Sequence, residues 1–503
     1  MSYHEDYVRY VTVPKHYHSA NQFEAEDIEK VGDIDFDPFD TTETGGRSFL
    51  YFAATIANLT AFVSGVSVGW SSPVIPKLSG EIEPENNPLP EPLTPNQQSW
   101  LGSLLPLGAV FGPVIAGLIV DRIGRKKSLL ISTLPFIAAF IIAIFSHNVN
   151  LYYVMRVLCG LGLGAVFTVL PMYVGEIAED SNRGALGSFL ALFMCMGILF
   201  SYCVGPFVPL TTFNIICVVP PIVFFPIFLV YIPDSSHSLI ARNDEAGAEK
   251  ALTKFRQKSS RAVHNELLEI RDSVQESLAS KGRIIDLFRS KGLIRALMIS
   301  LGLVSFQQLS GINIIFFYAQ TIFSLAGSSV PAEISTIIVG CVQVLAGFLT
   351  PMVVERTGKR AILIFSAIGM GISMALLGFY FYVQHNATIT TYFFWLPILS
   401  LICFNITYSV GFGPLPWAVL GEVFPPNMKS VASTITAAFC WFLAFIITNI
   451  FGTVTAAVGI YGSFWLFSCF CVIAFLFVYM LVPETSRKTL QEIGKILDGA
   501  YFV

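Results

Sequence analysis

The sequence predicts an all-α membrane protein: twelve transmembrane helices in two six-helix halves, with a cytoplasmic helical loop between them. Three observations carry that reading. Charged residues are 13% and apolar residues 54% of the 503, with mean hydropathy +0.66, whereas soluble domains carry about 25% charge. Charge is missing altogether from long runs of the chain. Short charged motifs also recur at matching places in its two halves.

The runs account for the elements in order. Residues 1–47 are acidic and lack an apolar run, so they read as a disordered cytoplasmic tail without a cleaved signal peptide. Uncharged runs then cover 48–76, 92–120, 128–155, 157–175 and 184–233. A bilayer core takes about 20 apolar residues per helix, so the last of these holds two spans. Together they make an amino-terminal half, 48–233. A charged stretch, 234–292, follows. Runs at 296–332, 334–354, 361–421 and 430–483 supply six more spans, the last two runs holding two each, in a carboxy-terminal half, 293–483. Residues 484–503 form a cytoplasmic tail.

In the charged stretch Val263, Leu267, Ile270, Val274 and Leu278 recur at helical spacing among acidic and basic residues, which predicts an amphipathic helix. Ala248, Leu252 and Phe255 predict an earlier one. Their apolar stripe is expected to pack beneath the membrane segment.

Basic residues set the orientation. With both termini inside, the outer loops hold one of the thirty, Lys77, a strong positive-inside pattern. A multi-pass protein of the plasma membrane is expected. Thirty basic against 34 acidic residues is too balanced for a nucleic-acid partner, and no obligatory protein partner is evident. All nine Cys fall within the runs and none shares metal-site spacing with His, so neither a disulfide framework, a metal nor a cofactor is expected. No nucleophile–base constellation points to an enzyme.

The halves repeat each other. Asp121-Arg-Ile-Gly-Arg-Lys-Lys127 follows span two, and Glu355-Arg-Thr-Gly-Lys-Arg360 follows span eight. Glu176, with Arg183 seven residues on, follows span four; Glu422, with Lys429 seven residues on, follows span ten. Glycine permits the tight turn, and acid and base can pair across helix ends. Two readings compete: headgroup anchoring, or a latch at a cytoplasmic gate formed by Asp121, Arg125, Glu176, Arg183, Glu355, Arg356, Glu422 and Lys429. Arg156 lies within span four; it is expected near the inner end of that span, paired with Glu176 or Asp121, as part of the same gate.

Polar residues inside a span need partners. Gln307, Gln308, Ser310 and Asn313 crowd one stretch of span seven. Amides both donate and accept, which suits a neutral polyhydroxyl ligand; the competing reading is polar glue between helices. A straight helix sets Gln307 and Asn313 about 240° apart, but Gly311 lets the helix break so that both face one cavity. In span ten, Gly411, Gly413, Pro414 and Pro416 exclude a regular helix, and Trp417 offers a flat face and one N–H donor.

With these motifs the chain, over about 48–495, resembles the sugar porter branch of the major facilitator superfamily. The sharpest matches are Gln307-Gln-Leu-Ser-Gly-Ile-Asn313, Gly411-Phe-Gly-Pro-Leu-Pro-Trp417 and Pro483-Glu-Thr-Ser-Arg-Lys-Thr489. Val68-Gly-Trp-Ser-Ser-Pro73 resembles the insect facilitated trehalose transporters. The resemblance implies sugar contacts at Gln307, Gln308, Asn313, Trp417 and Gln343 (where asparagine is usual), and an outer-gate tyrosine at Tyr318. Ala191, Ser409 and Cys440 stand where the family carries polar or acidic residues, and 233–239 lacks its usual arginine.

Asp and Glu are missing from the span interiors, and all seven His lie outside the spans. Where proton-coupled relatives carry a span-one aspartate, this chain has Ser71. Facilitated uniport of a hexose or trehalose is therefore expected, against a proton-coupled sugar or polyol symporter on the same fold, or a sensor that no longer transports. Asn386-Ala-Thr388 is a possible glycan acceptor in an outer loop.

Overall fold

A computed structural model describes residues 45–498, apart from 82–83, 180, 280–282, 328–329, 387–392, 487 and 489. Among these residues every regular element is a helix. Long charge-free runs in a bilayer leave the backbone no partners but its own.

In the first half α1 (Ser48–Gly69) continues through Trp70 into α2 (Ser71–Leu78). It is followed by α3 (Pro95–Ile123), α4 (Arg125–Ile144), α5 (Val149–Ile177), α6 (Arg183–Val204) and α7 (Leu210–Tyr231). A capping box starts α3: the Gln97 amide donates to Thr94 Oγ1 at 3.3 Å, and the Thr94 amide donates to Gln97 Oε1 at 2.9 Å. Three short helices come next, α8 (Ser236–Ala241), α9 (Glu245–Arg256) and α10 (Ser260–Ala279). The rest of the chain forms α11 (Lys291–Leu309), α12 (Ile312–Ala326), α13 (Ala332–Thr357), α14 (Lys359–Asn386), α15 (Leu396–Val410), α16 (Leu415–Val423), α17 (Pro426–Leu481) and α18 (Leu490–Asp498).

Among the described residues ten helical segments are long and apolar enough to cross a membrane. One of them, Asn427–Leu481, has 55 residues and is interrupted at Gly459, at φ 75° and ψ 164°. A shorter apolar helix covers Ala332–Phe348.

Within the first half α3 packs on α5, α1 on α6, and α4 on α5 and α7; in the second, α14 packs on α15 and α17, and α11 on α17. The halves meet where α3 touches α17, α6 touches α13 and α2 touches α12. The turns after α3 and α5 lie on the side of α8–α10, which we term the linker face.

The linker differs from expectation in one respect. The α10 stripe does not lie against the membrane helices: Val263 and Ile270 are buried with Ile240, Ala248 and Leu252 of α8 and α9. The other side of α9 makes the dock, where Ala251 and Phe255 join the main core and Phe255 meets Phe49 at 5.9 Å. Ala248 and Leu252 on one side of α9 and Ala251 and Phe255 on the other give it two apolar faces, and α10 covers the outer one. Buried Arg256 fixes the dock by donating to the Ile177 carbonyl at 2.8 Å and to Glu266 at 2.6 Å.

Candidate functional site: a central amide cluster at two helix breaks

Two helix breaks build the centre. Gly311 takes a left-handed conformation, φ 86° and ψ 11°, which β-carbon sterics deny most residues, and α11 ends there. Between α15 and α16 the backbone of Gly411 turns to φ −121° and ψ −87°. The Gln307 amide nitrogen ties the two breaks together, donating to the Phe412 carbonyl at 2.6 Å and the Gly413 carbonyl at 2.9 Å.

The break brings the span-seven amides onto one cluster. Asn313 Nδ2 donates to Gln308 Oε1 at 2.5 Å, and Gln308 Nε2 donates to Cys440 Sγ at 3.0 Å. The Cys440 thiol points on to Gln307 Oε1 at 3.8 Å. All four residues are buried, in keeping with the cost of unpartnered polar groups. Gln343, also buried, lies beside Cys195 of the other half, and Tyr408 lies beside Gln307. Trp417 is half-buried on α16, while Trp441 stands edge-on to Phe167 of the first half at 6.2 Å.

Cys195, Tyr408 and Phe167 were not picked out by the sequence reading. Each looks like ordinary apolar filling in its span, and only Tyr408, beside the glycine-rich break, carried a usable signal.

Opposite the linker face the halves are tied together. Tyr318 Oη donates to the Gln98 carbonyl at 3.2 Å, and Asn449 Nδ2 donates to Ser103 Oγ at 3.1 Å. Tyr202 Oη donates to the Phe316 carbonyl at 2.9 Å, and the Gln320 amide donates to Ser72 Oγ at 3.1 Å. Trp70 of the same motif as Ser72 is internal, donating from Nε1 to Asn214 Oδ1 at 2.8 Å.

Arg156 corrects an expectation. It lies on this side, not at the linker face, because α5 starts opposite the linker and Arg156 comes early in it. Neither Glu176 nor Asp121 is its partner. The fully buried guanidinium donates to the carbonyls of Ser67 at 2.6 Å, Leu101 at 2.8 Å and Gly102 at 3.5 Å. Its planar cation also sits 5.7 Å from the Trp70 ring centre and 5.5 Å from that of Phe317.

At the linker face the duplicated motifs adopt duplicated geometry. Gly124 and Gly358 have φ 90° and 87°. Asp234 accepts the Lys126 amide at 3.0 Å; Glu484 accepts the Lys359 and Arg360 amides, both at 3.1 Å. A carboxylate at a helix start meets both free N–H groups and the positive end of the dipole. Lys126 Nζ donates to the Leu229 carbonyl at 2.7 Å, and Arg360 Nη2 to the Tyr479 carbonyl at 2.5 Å.

The acid–base partners differ from those the spacing suggested. Glu176 pairs with Arg125 at 2.8 Å rather than Arg183, and accepts from Ser235. Asp121 is 3.8 Å from Arg125. Glu422 pairs with Lys359 rather than Lys429. Residues seven apart here straddle a helix end, so the nearer cation comes from the neighbouring loop. Each of these pairs stays within one half. Arg183 opens α6 and Lys429 lies beside Gly421. The side chains of Glu355, Arg356 and Asn386 lie outside the described residues.

Two titratable groups beside this network are shifted. Burial pushes the His237 imidazole down to about 4, and Arg125, Arg183 and Arg256 add to the effect against Glu266. Burial opposes the charge on Glu484, but hydrogen bonds from Ser486 and the Arg360 and Lys359 amides outweigh it and hold the carboxyl below its ordinary value.

The pattern of the family described as "Sugar (and other) transporter" matches residues 53–497. The chain belongs to the sugar transporter family. Among curated relatives of this sugar transporter, "Facilitated trehalose transporter Tret1" of Apis mellifera ligustica is 34% identical over 453 residues, covering 89% of this chain and 88% of the relative. The protein of the same name from Bombyx mori is 32% identical over 450 residues, covering 89% and 86%. The fold of this family member is that of the major facilitator superfamily. It matches the partially occluded, inward-open xylose transporter XylE from E. coli with TM-score 0.73 and 24% identity, covering 88% of this chain and 100% of that one. XylE described as a proton:xylose symporter bound to 6-bromo-6-deoxy-D-glucose matches with TM-score 0.71 and 24% identity, covering 90% and 99%. As a sugar transporter, not an enzyme, it is a multi-pass membrane protein.

Proposed function

We propose that the chain is a facilitative carrier that moves a neutral sugar, trehalose or a hexose, across the plasma membrane by alternating access. The observation that carries this is the amide cluster at the two helix breaks. Gln307, Gln308 and Asn313 form a buried set of neutral donors and acceptors, with Gln343, Tyr408 and Cys440 beside it. Such groups exchange hydrogen bonds with hydroxyls without taking or releasing a proton. Trp417 adds a flat surface for sugar C–H groups. The names of the curated relatives support trehalose as the first substrate to try.

Twelve spans fit the helices: a 55-residue segment is about 80 Å long if straight, far beyond a bilayer core of about 30 Å, so the Gly459 break divides it in two. With the linker face cytoplasmic, as the basic residues argue, the Tyr318–Gln98 and Asn449–Ser103 ties close the outer side. We assign Tyr318 to the outer gate, and the Glu176 and Glu422 networks to the cytoplasmic ends of the two halves.

The test is uptake of radiolabelled trehalose and glucose into proteoliposomes, with and without a proton gradient. Equilibration without accumulation, unchanged by a protonophore, is expected. Accumulation against the sugar gradient driven by protons would overturn uniport.

A further inference from the structure

We infer that the short segment between the linker and α11 is a membrane-surface anchor that engages anionic lipid headgroups. Ile284–Phe288 forms a single 3-10 turn. Leu287 is its only fully buried apolar side chain and points into the main core, where the turn packs on α11 and α17. Ile284, Ile285 and Phe288 point the other way and are 61%, 65% and 60% exposed. Such exposure is normal on a lipid-facing helix, but this turn precedes the span that begins at Lys291. In water three large apolar side chains on one turn carry a cost that nothing among the described residues relieves.

What covers them follows from position and charge. Only Arg289 and Ser290 separate the turn from α11, whose first residue stands at the edge of a membrane-spanning segment. The turn is therefore held at headgroup depth and cannot extend into bulk solvent. Around the apolar side chains stand Arg283, Arg289 and Lys291, all exposed. One acid, Asp286, is engaged inside the turn, accepting the Arg283 amide at 2.8 Å and pairing with Arg289 at 2.9 Å. Apolar side chains bracketed by cations are the signature of a segment lying in the interface of an anionic membrane, where each cation adds attraction and each apolar group leaves water. The other exposed helix nearby, α10, presents Glu269, Arg271, Asp272 and Glu276 instead, and these have no reason to leave water.

The anchor is independent of which solute the carrier moves. It fixes the start of α11, the helix that ends at the Gly311 break.

The test places a nitroxide on the full-length chain at Ile285→Cys, with Glu269→Cys on α10 as the aqueous reference. The unsubstituted chain, treated identically, supplies the baseline from native cysteines. Collision with oxygen and with a water-soluble nickel chelate is read in vesicles of phosphatidylcholine, with and without phosphatidylglycerol. At position 285 oxygen collisions should dominate, more so with the anionic lipid, while position 269 should favour nickel in both. Neutralising Arg289 and Lys291 to Gln should cut the membrane-embedded population about fivefold per cation removed. A label at 285 as nickel-accessible as that at 269 overturns the anchor. So does a label shielded from both reagents, which would mean protein covers the turn. A lipid-exposed label indifferent to anionic lipid overturns the headgroup contact.

Discussion

Tyr318 and Gln98 join the two halves through one hydrogen bond, the tyrosine hydroxyl donating to the glutamine carbonyl at 3.2 Å. Because the partner is a backbone carbonyl, removing the hydroxyl breaks the tie without touching the first half. Such a bond contributes about 0.5–1.5 kcal/mol net. Tyr318→Phe should therefore shift the carrier about two- to tenfold toward the state open on that side. Side-specific thiol labelling of introduced cysteines measures it; unchanged labelling rates would mean the bond is equally strong in both states.

Gln307→Ala should remove the donor shared by the Phe412 and Gly413 carbonyls and one amide from the proposed sugar site. A loss of about 1–3 kcal/mol, roughly five- to 150-fold in affinity, is expected in tracer binding at normal surface expression. Wild-type affinity in a normally expressed variant would leave Gln307 as a tie between the two breaks and nothing more.

Glu176 and Glu422 hold cations of their own half. Glu176→Gln leaves Arg125, only 14% exposed, without its closest anion, and should lower thermal stability in detergent by about 1–3 kcal/mol. Glu422→Gln should cost less, since its carboxylate is 35% exposed. If either variant instead changes side-specific labelling at unchanged stability, these carboxylates serve the moving gate rather than the fixed half.

His237 and Glu484 give the linker face two acid-sensitive windows. An unfolded His takes its proton near 6.5, whereas folded His237 refuses it until about 4; stability should therefore drain away as pH falls between those values. Glu484, held below its ordinary value, supports the fold above about 4.5 and loses that support only as pH drops through its lowered value. Thermal unfolding against pH should show His237→Gln flattening the upper window alone. A slope unchanged by that substitution counts against a neutral, buried imidazole.

Much of this was legible in the chain. Long charge-free runs dictate helices, and the duplicated Asp/Glu-Arg-x-Gly motif marks two turns with one backbone geometry, Gly124 and Gly358. The crowding of Gln307, Gln308 and Asn313 around Gly311 located the cluster, since buried amides must find each other. Partner choice was harder to read. Glu176 and Arg183 are near in sequence, but the pair that forms is with Arg125, which arrives from another loop. Arg156 was misplaced because a lone charge in a span says nothing about depth until the direction of the helix is used. Cys195 comes to Gln343 from the other half, a proximity no local pattern encodes.

The carboxylate clasps also bear on how the protein is made. Asp234 closes on Lys126 from 108 residues away, and Glu484 on Lys359 from 125. Neither clasp crosses into the other half. As the chain leaves the ribosome, the first can shut once α7 has emerged, before any of α11–α17 has been translated. The second must wait for nearly the whole chain. Biogenesis thus proceeds as two successive, separately sealed events, and damage to Glu484 should strand molecules whose first half is already finished.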